Sequence, residues 1–323
     1  MSTLETTLPS SNNGAVAAPA ARTWPFLWSV RREIWENRSL YIAPLALAAI
    51  FLFGNAISLF GLRHRAAAVD AMPPAQQHLE IVGEYFFAAA AILAVAFFVG
   101  FFYCLGALYN ERRDRSILFW KSLPVSDLTA VLAKASVPLV LLPAIAFGTI
   151  VVLQWAMLAV NSLGRLALGF DPHVLWVNLN LFQMDGVLLY GLATLALWHA
   201  PVYAWLLLVS GWAKKTPILW AVLPWVGLAL IAKIAFRSNA IGALIVHRVF
   251  GGISEGFDLP AVDAGKWHGV SRAGAIAVGN SAINAVQIDP AKFFASPELW
   301  IGLALAAAFL AGAVWLRRTR EAL

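Results

Sequence analysis

Six long apolar runs, separated by polar and charged stretches, dominate the chain: residues 40–60, 86–108, 137–160, 187–209, 217–236 and 298–316. Each is close to the ~20 residues that a helix needs to cross the hydrocarbon core of a bilayer. Each is therefore predicted to be a transmembrane helix. The third is expected to begin ahead of its apolar run, near Asp127 with Ser126 as N-cap, and to kink at Pro138 and Pro143. The sixth opens on Ser296-Pro297-Glu298: a cap, a proline at the first helical position and an acid in the first turn.

A different pattern precedes the first run. At about 100° per residue, Trp24, Leu27, Trp28, Val30, Ile34 and Trp35 fall on one side of a helix. Arg32, Glu33, Glu36 and Asn37 fall on the other, and Arg31 lies within the apolar arc, where its head can snorkel. Residues 22–39 are predicted to form an amphipathic helix lying in the membrane interface. Residues 1–21 are rich in Ser, Thr, Asn, Ala and Pro without apolar periodicity; a disordered tail is expected, and no basic start leads into a signal-peptide core. The three loops opposite the N-terminal side are 61–85, 161–186 and the long 237–297. Within the last, 240–250 and 271–288 are apolar and rich in Gly and Ala but too short or interrupted to span. They are expected to be short re-entrant helices packed on the bundle, since irregular backbone at depth needs shielding by protein. The expected fold is an all-α integral membrane protein: six transmembrane helices, an N-terminal interfacial helix and a six-span domain over 40–323.

Composition agrees with this reading. Of 323 residues, 61% are hydrophobic and 12% charged, against about 25% charged in soluble domains. Such a chain has too little polar surface to cover a water-soluble particle. The lone Cys104 excludes an intrachain disulfide and reads as a small core residue. The net charge of +6 matters less for its sum than for its placement, and no nucleic-acid partner is expected. Fourteen Lys and Arg flank the spans on the side of both termini; eight are spread over the longer loops of the other side. By the positive-inside rule both termini and the 109–134 loop are expected in the cytoplasm.

Most familiar chemistry is missing. Gly252-Ile-Ser-Glu-Gly256 matches a nucleophile-elbow pattern, with Asp263 and His268 following in hydrolase order. It lacks the strand–turn–helix context that gives the pattern meaning. The six His form no pair at metal-ligand helical spacing, and one Cys cannot build a thiolate site. No Gly-x-x-x-x-Gly-Lys-Ser/Thr phosphate loop is present, so no cofactor and no enzymatic activity are expected in this chain. The spans carry no Asp, Glu or Lys at mid-depth of the kind that proton relays use. Asn55, Gln154, Trp155 and His199 are candidates for lining a pathway, against the plainer reading of hydrogen bonding between helices.

The loop after the second run concentrates charge. Glu111, Arg112, Arg113, Asp114 and Arg115 are too charged for lipid; Ile117, Leu118, Phe119 and Trp120 are too apolar to leave in water. Lys121 follows, and Leu123-Pro124 ends the short helix. This combination suits insertion into a groove of a soluble partner, where Trp and Arg are the residue types enriched at hot spots.

Glu111-x3-Arg115-Ser116-x3-Trp120-x3-Pro124-Val-Ser126-x7-Lys134, between the second and third of six spans, resembles the permease subunits of ABC-2 type ABC transporters. In that family the loop commonly reads Glu-x3-Gly-Thr, then leucines, Pro-Val/Ile-Ser/Thr and a later Lys. The match holds at Glu111, Ser116, Pro124, Ser126 and Lys134, and departs at Arg115, where glycine is frequent, and at Trp120, where leucine is more usual. The resemblance implies an exporter permease in a bacterial inner membrane, paired with a second permease copy as a homodimer or related heterodimer, in contact with membrane lipids. It also implies that a separate soluble ABC ATPase subunit, which holds ATP and Mg, docks on a coupling helix at 111–124. Arg112, Arg113 and Arg115 would pair with acidic residues of that ATPase, with Phe119 and Trp120 as apolar anchors. The long outer loop motivates an alternative: a non-transporting component that passes an ATPase-driven signal to a periplasmic partner.

Overall fold

The structure, a computed structural model, describes residues 24–116, 125–252, 255, 257–258 and 287–319. It is helical apart from a two-residue antiparallel pair, β1 (Phe257–Asp258) and β2 (Gln287–Ile288), with Phe257 opposite Ile288. In chain order the helices are α1 (Pro25–Glu36), α2 (Ser39–Ser58) and α3 (Leu62–Asp70), the last two joined by a 3₁₀ turn. Next come α4 (Pro74–Ala107), α5 (Tyr109–Arg113), α6 (Asp127–Ser136) and α7 (Leu142–Ala167). After them follow α8 (His173–Asn178), α9 (Leu181–Trp212), α10 (Pro217–Phe236), α11 (Ala240–Phe250), α12 (Pro290–Ala295) and α13 (Pro297–Thr319).

Among the described residues six stretches are long and apolar enough to cross a membrane, as in a multi-pass membrane protein: Ser39–Asp70, Pro74–Arg113, Asp127–Ala167, His173–Trp212, Pro217–Phe236 and Pro297–Thr319. All six match the runs seen in the sequence, but several reach further. The 61–85 stretch, expected as a loop, is helical except around residues 71–73. Pro74 sits at the first position of α4, where its fixed φ favours helix and its missing N–H costs nothing. α4 therefore extends about three turns beyond its apolar run. Asn180 does the same for α9: its Oδ1 accepts from Gln183 N at 3.2 Å, starting the helix ahead of residue 187.

The expected start of the third span holds. Ser126 Oγ accepts from the Thr129 amide at 3.1 Å, and Asp127 occupies the first turn. The proline break takes the form of a π turn over Val137–Leu141. Pro138 cannot bond the Lys134 carbonyl four residues back, and its ring would press on that carbonyl. Lys134 O instead accepts from the Val137 amide three residues on, and the wider turn that follows is closed by the Leu142 amide donating to Val137 O.

Burial ranks the spans. The apolar window of the fourth span is 61% buried, that of Pro217–Phe236 only 11%. α9 is thus the central helix, most extensively packed on α13. α10 lies at the rim with Leu219, Leu223, Ile231 and Ile234 exposed. The core between α2, α4, α7 and α9 is built from Tyr85, Ile92, Cys104, Ile150, Leu158 and Leu207, all nearly inaccessible. Residues 271–286 and the serine-containing motif residues Ser254, Asp263 and His268 lie outside the described residues.

Replacing Ser126 with alanine removes the cap of α6, and a loss of about 1 kcal/mol is expected. A thermal midpoint lowered by a few degrees in detergent, restored by Ser126→Asp, would register it.

Candidate functional site

α6 is sandwiched between α1 on one side and α13 on the other, and the end of α4 approaches the same point. Four elements distant in sequence therefore deliver charges to one buried cluster. α1 supplies Arg32 and Glu33, α5 supplies Glu111, α6 supplies Asp127 and Lys134, and α13 supplies Arg317. The Lys134 ammonium lies 2.8 Å from Glu33 Oε1 and 3.1 Å from Glu111 Oε1. Arg32 Nη2 spans the same two oxygens at 2.8 and 2.9 Å. Arg317 donates through Nη1 to Glu111 Oε2 and through Nε to Asp127 Oδ1 at 3.0 Å. The Tyr103 hydroxyl donates to Glu33 Oε2 at 2.7 Å.

Glu33, Lys134, Glu111 and Arg317 are only 2–7% exposed. Three carboxylates (Glu33, Glu111, Asp127) face three cations (Arg32, Lys134, Arg317), so the cluster is electrically closed. That balance is what makes its burial tolerable: an ion out of water costs several kcal/mol unless paired and hydrogen-bonded. Burial alone would push the Glu33 carboxyl up. The Lys134 ammonium, with Arg32 and the Tyr103 hydroxyl behind it, outweighs that and holds it below the usual carboxylate range.

A second set of contacts fixes the start of the loop. The helix breaks at Leu108, and the freed amides of Leu108 and Tyr109 both donate to Ser210 Oγ, at 3.0 and 2.9 Å. Arg112 Nη1 donates to the carbonyls of Gly211 and, at 3.4 Å, Ala213. These are the last, unpaired carbonyls of α9, where a cation is favoured.

The candidate residues thus divide. Glu111 and Arg112 point inward, and Arg112, expected to reach for a partner's acids, is spent on the C-terminus of α9. Arg113 and Asp114 are exposed and pair with each other at 2.9 Å. Arg115 is exposed and has φ 56°, the left-handed region that glycine favours. Ser116 Oγ donates to Glu111 O at 3.4 Å. Phe119, Trp120, Lys121 and Pro124 lie outside the described residues.

The pathway candidates each have contacts of their own. Asn55 donates to Asn161, and Asn161 in turn to the Tyr85 hydroxyl, tying three spans together. Gln154 is buried. Trp155 packs edge-on against Trp176 and Phe182 and donates to Asp185 at 3.4 Å. Both His199 ring nitrogens meet carbonyls, Leu195 O at 2.8 Å and Val249 O at 3.0 Å, which docks α11 on α9. Among the described residues no group of three or more His, Cys, Asp or Glu is placed to hold a metal ion.

The sequence placed Arg32 and Glu33 on the polar face of α1, Asp127 at the start of the third span and Arg317 among the basic residues flanking the spans, but paired none of them, and it singled out neither Tyr103 nor Ser210. Glu33 is buried because its partners come from other helices, which a helical wheel cannot show. One signal was available: Lys134 and Arg317 sit in or beside apolar helices and require acids nearby. No family model, curated protein or solved structure matches the chain.

Lys134→Met should destabilise by about 3–5 kcal/mol, because it leaves three carboxylates facing two cations in a buried volume. Adding Glu33→Gln should recover part of that loss, read as a coupling energy in a double-mutant cycle. The depressed Glu33 carboxyl contributes stability that is full above the ordinary carboxylate value of about 4.3 and is lost as pH falls through the lower folded value. The thermal midpoint should therefore drop on acidification below that value, and drop less in Glu33→Gln.

Proposed function

We propose that this chain is the transmembrane permease subunit of an ATP-driven exporter of the ABC-2 type, moved by a separate soluble ATPase that docks on the loop beginning at Glu111. The observation that carries the reading is the joining of Glu111 to Lys134 at 3.1 Å inside a buried cluster shared with α1 and α13. These are the two charged positions of the loop motif, one at each end of the loop. A push on the loop is passed through short, desolvated ion pairs to the N-terminal helix, to the third span and to the last span together. Charge pairs of this kind have few alternative geometries, so they move as a unit.

Arg115 adds independent support. The position at which the family frequently has glycine is one where this chain adopts a positive φ. A side chain there costs roughly 1–2 kcal/mol in that conformation. The backbone therefore follows the turn that the glycine form would favour, although the residue differs.

In this reading the Glu111 cluster lies at the cytoplasmic end, with both termini, in a bacterial inner membrane. α1 rests in the interface with Trp24, Trp28 and Trp35 exposed, and the Arg31 guanidinium sits 4.5 Å from the Trp35 ring. α11 is the first of the short outer-loop helices, held by Trp198 Nε1 donating to Arg248 O at 3.1 Å. The largely uncovered α10 is free to meet lipid or a second permease copy. ATP and Mg belong to the partner.

The test is co-purification from the native membrane in mild detergent: an ATPase with a phosphate loop should accompany the chain, and its absence would defeat the reading. In reconstituted vesicles Trp120→Ala should leave the complex inserted and hydrolysing ATP while transport falls at least about tenfold, the loss of one hot-spot anchor.

A further inference from the structure

A cavity of about 750 Å³ opens beside the buried cluster, between α1 and the outward face of α4. Its apolar wall is one stripe of α4: Val95, Phe98, Val99 and Phe102, then Tyr103 and Gly106. From residue 95 to 106 this stripe rises about 16 Å, roughly the ~15 Å depth of one leaflet's hydrocarbon. Phe98 and Phe102 are exposed along it. The polar end, at the level of α1, is lined by Glu36, Ser39, Asn110 and Asp114.

Among the charged residues that line the groove, Glu36 is the most loosely paired. Arg32, Lys134 and Arg317 are matched by Glu33, Glu111 and Asp127, and Asp114 is matched by Arg113. Glu36 remains, sharing Arg32 only at 3.5 Å and with its side chain 47% exposed. Burial, aided by Glu33 and Glu111 nearby, pushes its carboxyl up despite Arg32.

We infer that this groove binds a single phospholipid with a zwitterionic, primary-amine head from the leaflet on the α1 side. Its ammonium would sit on the Glu36 carboxylate, its phosphate by the Asn110 amide and Ser39 hydroxyl, and one acyl chain along the α4 stripe. The length of the stripe selects a one-leaflet amphiphile. The loosely paired Glu36 carboxylate favours the amine head over an anionic one, which would set a second negative charge beside it. The inference needs only the membrane placement of the spans, so it survives if no ATPase docks on the loop.

Photolabelling of the full chain tests this, in nanodiscs of phosphatidylethanolamine and phosphatidylglycerol doped with a phosphatidylethanolamine carrying a diazirine in its acyl chain. Adducts should concentrate in residues 95–106. Unlabelled phosphatidylethanolamine should compete for them and phosphatidylglycerol should not. Glu36→Gln should lower that head-group preference about fivefold, the size of an interfacial ion pair. Val99→Trp fills the groove from a half-buried, outward position and should suppress the adducts in a chain that still elutes as a single species. Adducts spread evenly over the lipid-facing spans would overturn the proposal. So would equal competition by phosphatidylglycerol, or labelling unchanged in Val99→Trp. Disulfide dimerisation through Val99→Cys would overturn it too, because the groove would then be occupied by a second copy.

Discussion

Charge neutrality in a buried volume is the constraint on which one end of this protein depends. Glu33 and Lys134 are each 2% exposed, and neither could be there alone. Glu111 is the keystone, because its two oxygens are divided between Lys134 and Arg32 on one side and Arg317 on the other. The cluster is thereby interdependent: removing any member leaves the buried charges unequal in number, with the remaining partners shared among more groups. A pair of leucines could fill the same volume with less risk. What the ions add is geometry, since each bond fixes a direction and a distance between helices that apolar contacts would leave free to slide.

The opposite end uses the same device more sparingly. Arg165, 3% exposed, grips Asp70 through Nη2 at 2.6 and 2.8 Å and the Asp171 carbonyl through Nε at 3.0 Å. The Asn55–Asn161–Tyr85 chain ties α2, α7 and α4 just inside it. Between these two polar belts the spans meet through Ala, Leu, Ile and aromatic contacts. The bundle is therefore anchored at both ends and largely apolar between them, with Gln154 and His199 as buried polar exceptions. Such an arrangement allows tilting about the middle while each end keeps its register. That property suits a membrane domain moved by a loop at one end, as proposed above.

The groove beside the cluster follows from the same balance. Arg32 is drawn inward by Glu33 and Glu111, so it cannot fully serve Glu36 on the next turn of α1. A single guanidinium divided among three carboxylates leaves Glu36 loosely paired and half-exposed at the groove. The inward and outward chemistries of α1 are two consequences of one shared residue.

The spans were legible in the sequence because crossing a membrane is a property of a single segment: length and apolarity suffice. Helix starts were legible for the same reason, since Ser126 and Pro297 act on their own neighbours. The loop's charge and its motif were equally visible as linear features. The burial of Glu33 and Glu111, the inward turn of Arg112 and the role of Ser210 were not. Each depends on a partner between about 80 and 200 residues away, brought close only when α6 settles between α1 and α13. The sequence by itself determined where the chain enters and leaves the bilayer. The tertiary structure alone decided which of its charges are paired inside, because a buried ion is stable only where another helix supplies its counterion.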